Sequence, residues 1–287
     1  MSTKESSPPG WPRSRPWPDE HWLTVDQARD KPGVKVTDSP HWAALWALAL
    51  RGVLYVKSIP YLKVLHPPFS NEDPDAQSAL YTWTAQTSVP TMVYGDGKRD
   101  VVRNDWLNQL MLAEQLSPAP SLVPNAVNER VTMFGFASEI MSPQGLMWQG
   151  RIAMAASLDT RHMSERQRDF FSPDKFLGGK YAHQGREAAP YDAMEAITTA
   201  LDEQLARNQQ TGSRYLVGDR LSAVDIYWAY ASNMLSLLPH DQLPIMRVNR
   251  AMYAALNERL GDSLTARLRA HRDYIFETYL ECPVVVD

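Results

Sequence analysis

Residues 215 to 230, which read YLVGDRLSAVDIYWAY, constrain the fold more than any other stretch of the chain. Ser222 and Asp225 have the spacing of a capping box, in which two side chains and two backbone N–H groups bond reciprocally at a helix start. Leu221 and Ile226 have the spacing of a hydrophobic staple at the same start. The helix that follows is apolar almost all round, so we predict a core helix of a helical domain.

The same string also indicates a family. A run of the form (F/Y)LVGD-x-(L/F)-(S/T)-x-x-D resembles the capped core helix in the second domain of the soluble glutathione transferase superfamily. The resemblance covers about residues 33–260, with insertions near 62–80 and 160–190. The capped string by itself implies a fold rather than an activity, because in that family the box lies far from the thiol site.

Composition limits the function classes that need to be considered. The 287 residues carry a net charge of −4 with scattered Lys and Arg, which offers no basic surface for nucleic acid. The single cysteine, Cys282, excludes an intrachain disulfide and a cysteine-based metal cluster, and the histidines show no metal-ligand spacing. The N-terminus lacks a signal peptide and no segment has the length of a membrane span, so we expect a soluble, cytoplasmic protein without membrane insertion.

The first domain is predicted over residues 33–117 as an α/β unit with thioredoxin-like order. The pattern predicts a strand near 34–37, a helix from His41 to Gly52 and a second strand at 53–56, followed by an irregular stretch at 60–75. It then predicts a strand at 88–94, a tight Asp96-Gly97 turn, a return strand at 100–102 and a helix over 106–116.

The second domain, residues 118–287, is predicted to be all-helical, because strand signals fade after Pro120. Helical segments are expected from the family-like run PSLVPNAVNERVTMFGFASEI onward, interrupted by a polar insertion at about 160–190. Residues 1–32 form a Pro- and Ser-rich N-terminal extension. Its tryptophans, Trp11, Trp17 and Trp22, indicate that part of it packs on the body or on a partner chain.

Ser39 is the candidate catalytic residue. It follows the first predicted strand and precedes Pro40, so one interpretation is a simple N-cap with proline at the first helical position. The resemblance implies another role, since this turn carries the Ser or Cys that faces the glutathione sulfur in that family. A hydroxyl at a helix N-terminus can donate to a thiolate and lower the thiol pKa. The sequence SPH departs from the commoner SPF or CPF, and His41 has no evident place in the family pattern.

Val89 and Pro90 are the second candidate element. The run SVPTMVY-GDG resembles the thioredoxin-fold signature in which the proline before the third strand is cis, so the resemblance implies a cis bond here. The Val89 backbone groups would then pair with the cysteinyl part of glutathione. The alternative is a proline that merely opens an edge strand, where no ladder N–H is needed.

Asn104 and Asp105 occupy the position at which the family usually has Glu-Ser, residues that bind the γ-glutamyl end of glutathione. Asp105 can still cap the following helix. An ionised Asp accepts but does not donate, so it cannot bind the γ-glutamyl carboxylate as a Ser does. This departure argues against ordinary glutathione affinity, and Arg103 and Lys98 are the candidates to compensate for it.

The electrophile would lie against the first long helices of the second domain. Met141, Met147, Trp148 and Phe134 are adaptable apolar candidates there, and His41 and Trp42 could face them from the first domain. A Met and aromatic stripe of this kind is more often core, which is the favoured alternative for each of those residues. For His41 the alternatives are a second proton-handling group and a partly packed surface histidine. We assign Met141, Trp148, His41 and Trp42 to substrate binding.

The resemblance therefore implies a glutathione-dependent transferase that attacks a small apolar electrophile, and a homodimer. Conjugation, ether or halide cleavage and isomerisation share that first step and are not separated by the sequence. Two alternatives stay open because of Asp105 and the Ser39 context. One is a non-catalytic binding or scaffold protein of this fold, and the other is an enzyme of this fold that acts without glutathione.

Overall fold

The computed structural model describes residues 22–66, 74–156 and 190–286, together with positions 161, 165 and 168. Trp11, Trp17, His162, His183 and most of the predicted 160–190 insertion lie outside the described residues. The first domain contains, in chain order, α1 (Val25–Ala28), β1 (Gly33–Asp38), α2 (Leu45–Val56), β2 (Tyr61–Leu65), α3 (Pro74–Thr84), β3 (Met92–Gly95), β4 (Val101–Arg103) and α4 (Trp106–Leu116). The helices described after it are α5 (Val127–Met141), α6 (Leu146–Ala156), α7 (Pro190–Gln210), α8 (Ala223–Ala231), α9 (Arg247–Leu260) and α10 (Ala266–Thr278).

The four strands form one mixed sheet in the order β2-β1-β3-β4. β1 and β2 are parallel, with Val34 opposite Tyr61, and β3 pairs antiparallel with both β1 and β4. A βαβ unit followed by a ββα unit is the predicted thioredoxin-like plan, and the helices after it form the predicted helical domain. This fold class is confirmed.

The predicted second strand at 53–56 and the helix end at Gly52 are wrong. Helix α2 continues to Val56, because most of its residues are buried and it packs against α8 as well as α4. Gly52 lies inside this contact: a Cβ there would meet the Tyr230 ring at 2.6 Å and Ile226 at 3.0 Å. The glycine thus allows two helices to approach closely. The true strand, β2, falls in the stretch predicted to be irregular.

The connection between β3 and β4 is also longer than the predicted two-residue turn. It spans residues 96–100, with Gly97 at φ +84°. The Asp100 carboxylate accepts from the Gly97 N–H at 3.0 Å, and the Asp96 carboxylate accepts from the Lys98 N–H at 3.1 Å. These side-chain bonds stabilise a wider loop than the Asp-Gly pair alone indicates.

Residues 22–30, within the predicted N-terminal extension, pack on the first domain. The Leu23 N–H donates to the Lys63 carbonyl at 3.0 Å, and the Leu23 carbonyl accepts from the Leu65 N–H at 2.8 Å. Trp22 lies under the Lys63 ammonium, 5.2 Å from the ring centroid. The segment therefore covers the β2 edge of the sheet, which would otherwise present unpaired backbone groups.

The capped core helix predicted from the sequence is α8. All nine of its residues are buried, and the capping box between Ser222 and Asp225 is present. The Asp225 carboxylate also accepts from the Leu216 N–H at 2.8 Å and contacts His271 Nε2 at 3.0 Å. Asp225 therefore joins the preceding loop, the helix start and α10. None of the helices described is long and apolar enough to cross a membrane.

Candidate functional site

Two turns lie side by side at one end of the sheet, and two threonines join them. The Thr37 N–H donates to the Thr91 carbonyl at 3.0 Å, and the Thr91 N–H donates to Thr37 Oγ1 at 2.8 Å. Ser39 follows Thr37 by two residues, and Pro90 directly precedes Thr91. The structure thus brings the Ser39 turn next to the Val89–Pro90 turn.

The last residues of β4 lie at the same end of the sheet as these two turns. The buried Gln109 of α4 donates its Nε2 hydrogens to the Pro90 carbonyl at 3.0 Å and the Arg103 carbonyl at 3.2 Å. Asn104 and Asp105 follow Arg103 directly. Three of the sequence-predicted elements are therefore neighbours, and Gln109, which sequence reasoning did not identify, connects two of them.

Ser39 is buried, but it is not at the N-terminus of a helix. Helix α2 begins at Leu45, and its N-cap residue is Ala44, which provides no side-chain cap. The predicted Ser39 N-cap is therefore wrong, and the direct helix-dipole effect expected for Ser39 is lost because it fades within one turn. The Ser39 hydroxyl instead donates to the His66 carbonyl at 2.7 Å. The residues between Ser39 and α2 are held by other elements, as described next.

Residues 41–43 form a turn that the second domain and the C-terminal segment hold in place. His41 is exposed, with φ at +57°, and its N–H donates to the Val286 carbonyl at 2.5 Å. Its carbonyl accepts from the Met246 N–H at 3.0 Å. The Ala43 N–H donates to Asn249 Oδ1 at 2.6 Å. These distant bonds replace the local capping that the sequence predicted, which explains why the helix starts late.

The Val89–Pro90 bond is cis, as predicted. Val89 is half-buried, and among the residues described its N–H and carbonyl have no hydrogen-bond partner. Both groups are available to pair with an extended peptide, as a β-strand edge would.

Asn104 and Asp105 are both exposed. Asn104 Nδ2 donates to Gln86 Oε1 at 2.6 Å, which joins β4 to the segment before the cis proline. The Asp105 carboxylate accepts from the Asn108 N–H at 3.0 Å and from Asn108 Nδ2 at 2.5 Å, so the predicted cap of α4 is confirmed. An acceptor-only carboxylate at this point fits an ammonium group and does not fit a carboxylate.

An aromatic cluster lies where the first turn of α2 meets the second domain. Trp46 Nε1 donates to the Met141 carbonyl at 2.9 Å, and the Trp46 and Trp148 rings pack edge to face at 6.2 Å. The Arg151 guanidinium lies over both rings. Met141 and Trp148 are buried and Trp42 is half-buried. Sequence reasoning placed Met141 and Trp148 here but missed Trp46.

Met147 and Phe134 differ from this cluster. Met147 is fully buried in the main core, and Phe134 is a half-buried residue packed against that core. Among the residues described, no group of three or more His, Cys, Asp or Glu side chains could hold a metal ion.

A buried ion pair next to Ser39 was not predicted. Arg51 Nη1 donates to Asp38 Oδ2 at 3.1 Å, and the Ser39 N–H donates to Asp38 Oδ1 at 2.7 Å. Burial raises the pKa of Asp38 above its ordinary value, and Arg51 opposes that shift. Burial lowers the pKa of Arg51, but Tyr61 and Asp38 more than offset it, so the pKa is raised and the guanidinium stays charged. The available sequence signal was a single Arg inside an otherwise apolar helix.

No family model matches the sequence, and no curated protein matches it. Solved structures do. The β-etherase LigF from Sphingobium sp. strain SYK-6 is 18% identical with a TM-score of 0.53, and the match covers 84% of this chain and 99% of that one. A glutathione transferase family member from Pseudomonas fluorescens pf-5, with two glutathione molecules bound, is 13% identical with a TM-score of 0.51, covering 87% and 98%.

The nitrogen regulation fragment of the yeast prion protein Ure2p is also similar, at 11% identity and a TM-score of 0.51, covering 84% of this chain and 96% of that one. Each of these matches covers more than four fifths of this chain, so it includes parts of both domains. The chain therefore has the fold of the glutathione S-transferases. At these identities the similarity establishes the fold alone.

Proposed function

We propose that the protein binds glutathione on its first domain and activates it for attack on a small apolar electrophile. The observation that carries the proposal is the Val89–Pro90 turn, which lies beside Ser39. The Val89 N–H and carbonyl have no hydrogen-bond partner among the described residues. Bound glutathione would supply a thiol, which becomes a nucleophile once ionised. Structures of this fold with glutathione bound support the same ligand class.

Ser39 would activate the thiol by changing its hydrogen-bond acceptor. Its hydroxyl now donates to a neutral carbonyl, that of His66. A hydrogen bond to a charged acceptor is about twice as strong as a neutral one, so a nearby sulfur anion would compete well for the same proton. The Ser39 hydroxyl would then stabilise the ionised form of the thiol and lower its pKa.

The apolar side of the site would be the Trp46 cluster, where Trp46 and Trp148 offer aromatic surface at the domain boundary. An apolar electrophile fits such a surface because its burial there removes apolar area from water. The cytoplasm, which keeps thiols reduced, is where we expect this chemistry.

The experiment is a titration of thiolate absorbance for glutathione bound to wild type, Ser39→Ala and Ser222→Ala. A hydrogen bond to a charged group contributes roughly 1.5–3 kcal/mol, so Ser39→Ala should raise the bound thiol pKa by about one to two units. Turnover at neutral pH should fall more than affinity and recover in part at higher pH. Ser222→Ala is the control, since it alters a buried serine whose described side-chain bond goes to Asp225 in the capping box. Identical curves for wild type and Ser39→Ala would refute the role.

A second candidate is a glutathione-binding protein of this fold without catalysis. The Asp105 carboxylate and the engaged Ser39 hydroxyl favour it, and a nitrogen regulation fragment shares the fold. Glutathione binding by calorimetry without turnover of any apolar electrophile would select it. Absence of glutathione binding to wild type would instead favour an enzyme that acts on another small molecule.

We infer that the protein forms a homodimer. Two helices expose apolar pairs at i, i+4 spacing, Leu107 with Met111 on α4 and Val127 with Val131 on α5, and Val131 is 67% exposed. A second copy covering these residues would remove apolar area from water. Light scattering of wild type and Val131→Glu tests this: a monomeric wild type would contradict it, and a monomeric variant of a dimeric wild type would support it.

A further inference from the structure

Arg51 is a buried cation in the middle of α2 whose hydrogen bonds reach three separate parts of the chain. Nη1 donates to Asp38 at the end of β1, and Nε donates to the Tyr61 hydroxyl on β2 at 2.8 Å. Nη2 donates to the Val285 carbonyl in the C-terminal segment at 2.6 Å. The planar guanidinium fixes the directions of these bonds, which a lysine could not reproduce together.

The Asp38 carboxylate continues this network to the backbone of Ser39. One of its oxygens accepts from Arg51, and the other accepts from the Ser39 N–H. The Asp38 carbonyl also accepts from the His66 N–H at 2.9 Å, and the His66 carbonyl is the acceptor for the Ser39 hydroxyl. Asp38, which Arg51 holds, therefore bonds directly to the Ser39 N–H and to His66, the residue whose carbonyl accepts from the Ser39 hydroxyl.

The C-terminal segment holds the other end of the same turn. Val284 and Val286 are buried, and the Val286 carbonyl accepts from the His41 N–H. The neighbouring Val285 carbonyl accepts from Arg51. Two consecutive carbonyls of this segment thus bond to Arg51 and to the Ser39–His41 turn.

We propose that Arg51 is a positioning residue for the candidate site, fixing the Ser39–His41 turn through Asp38 on one side and through residues 285–286 on the other. The effect on the glutathione thiol rests on the proposed function above. The effect on the turn does not, because it follows from bonds within the chain.

Lys57, the C-cap residue of the same helix, provides a control that distinguishes this positioning role from that of an ordinary buried ion pair. Its Nζ donates to Glu114 Oε1 at 2.7 Å and to the Pro120 carbonyl at 2.8 Å. Like Arg51, it is a buried cation of the α2 region that bonds to one carboxylate and one backbone carbonyl. It lies at the far end of the helix, just after Val56, and none of its described hydrogen bonds reaches the turns at Ser39, Val89 or Asp105.

The experiment compares Arg51→Met, Arg51→Lys and Lys57→Met by amide hydrogen exchange and by titration of bound glutathione. In Arg51→Met the amides of Ser39 and His41 should exchange at least about tenfold faster, because their acceptors are no longer held. Arg51→Lys should show a smaller increase at the same amides, since an ammonium restores the charge but not the fork. Lys57→Met should leave these two amides as in wild type. The bound thiol pKa should rise in Arg51→Met and stay unchanged in Lys57→Met.

Unchanged exchange at Ser39 and His41 in both Arg51 variants would overturn the proposal. The same acceleration in Lys57→Met would also overturn it, because the effect would then follow from general loss of stability. Should Arg51→Met fail to fold, Arg51→Lys decides by the same two amides. A wild type that binds no glutathione would refute the proposed function, while the exchange comparison would still decide the role of Arg51.

Discussion

Ser222 and Ser39 are both buried serines in turns that precede an apolar helix, yet their hydroxyl groups have different acceptors. Ser222 Oγ donates to the Asp225 carboxylate at 2.9 Å, three residues further along the chain. Ser39 Oγ donates to the His66 carbonyl at 2.7 Å, 27 residues away. The first bond is local and charge-assisted, and the second is long-range and neutral.

The difference separates a structural turn from one that can change its partner. Asp225 accepts from three donors besides the Ser222 hydroxyl, so exchanging that bond would disturb the whole helix start. The Ser39 bond has a single neutral acceptor, and replacing it with an anionic acceptor would strengthen it. Substitution of Ser222 should therefore affect stability more than the chemistry of the bound thiol, and substitution of Ser39 should do the reverse.

The largest effect is expected for Asp225→Ala. The change leaves the Leu216 N–H, the Ser222 N–H and hydroxyl, and His271 Nε2 without their buried acceptor. We expect a loss of about 3–5 kcal/mol in the free energy of unfolding, well above the roughly 1 kcal/mol of an isolated capping bond. Urea denaturation measures it. A loss of only about 1 kcal/mol would mean that Asp225 acts as a helix cap and that its other bonds add little to stability.

Ser222→Ala should be milder, at about 1 kcal/mol, because Asp225 keeps its bond to the Ser222 N–H. The helix start therefore survives with one bond fewer. Glutathione affinity in the folded fraction should not change, since the described side-chain bonds of Ser222 go to Asp225 and not to the Val89–Pro90 turn. Equal urea midpoints for wild type and Ser222→Ala would contradict the capping role.

The two turns also differ in how well the sequence predicts them. The start of α8 is determined by residues three apart, and its spacing alone predicted the cap and the burial correctly. The cap of α4 by Asp105 and the helical second domain were predicted by the same local signals. The sequence misplaces helix α2 at both ends because its limits depend on distant contacts. Asn249 and Val286 hold the turn before the helix. Close packing of Tyr230 explains why residue 52 is a glycine inside the helix and not its end.

The candidate site shows the same division between local and long-range information. Resemblance assigned Ser39, Val89, Pro90, Asn104 and Asp105 to one glutathione site, and the Thr37–Thr91 and Gln109 bonds bring those turns together. The hydroxyl acceptor of Ser39 and the Arg51 network were not predictable, because each joins residues that are far apart in sequence. A lone charge in an apolar helix was their only local sign.

Ser39→Ala should lower the free energy of unfolding by only about 0.5–1 kcal/mol, the usual worth of one neutral hydrogen bond. The His66 carbonyl loses one partner, and no charge is left unpaired. Paired with the thiol titration above, this gives a crossover: Ser39→Ala should change the bound thiol more than stability, and Ser222→Ala the reverse. A Ser39→Ala variant that is less stable than Ser222→Ala would place Ser39 among the structural serines.

The smallest effect on stability is expected for Asp105→Ser, at a third helix start where the cap and the candidate ligand contact fall on one residue. Ser and Asp are nearly equivalent N-caps, so the free energy of unfolding should change by no more than about 0.3 kcal/mol. Asp105→Ala, which loses the bond to the Asn108 N–H, should cost about 0.5–1 kcal/mol and serves as the control for the cap. Glutathione affinity should respond differently from stability. Removing an exposed carboxylate near the γ-glutamyl carboxylate relieves a repulsion of about 1 kcal/mol, which corresponds to roughly fivefold tighter binding.

The Ser hydroxyl can in addition donate to that carboxylate, whereas Ala cannot. Affinity should therefore increase in the order wild type, Asp105→Ala, Asp105→Ser, while stability falls only in Asp105→Ala. Calorimetric titration with glutathione, alongside urea denaturation of the same samples, measures both quantities. Equal affinity in all three proteins would mean that Asp105 only caps α4 and that the γ-glutamyl end is bound elsewhere. Weaker binding in Asp105→Ser would show that the native carboxylate itself recognises the ligand, through its ammonium group.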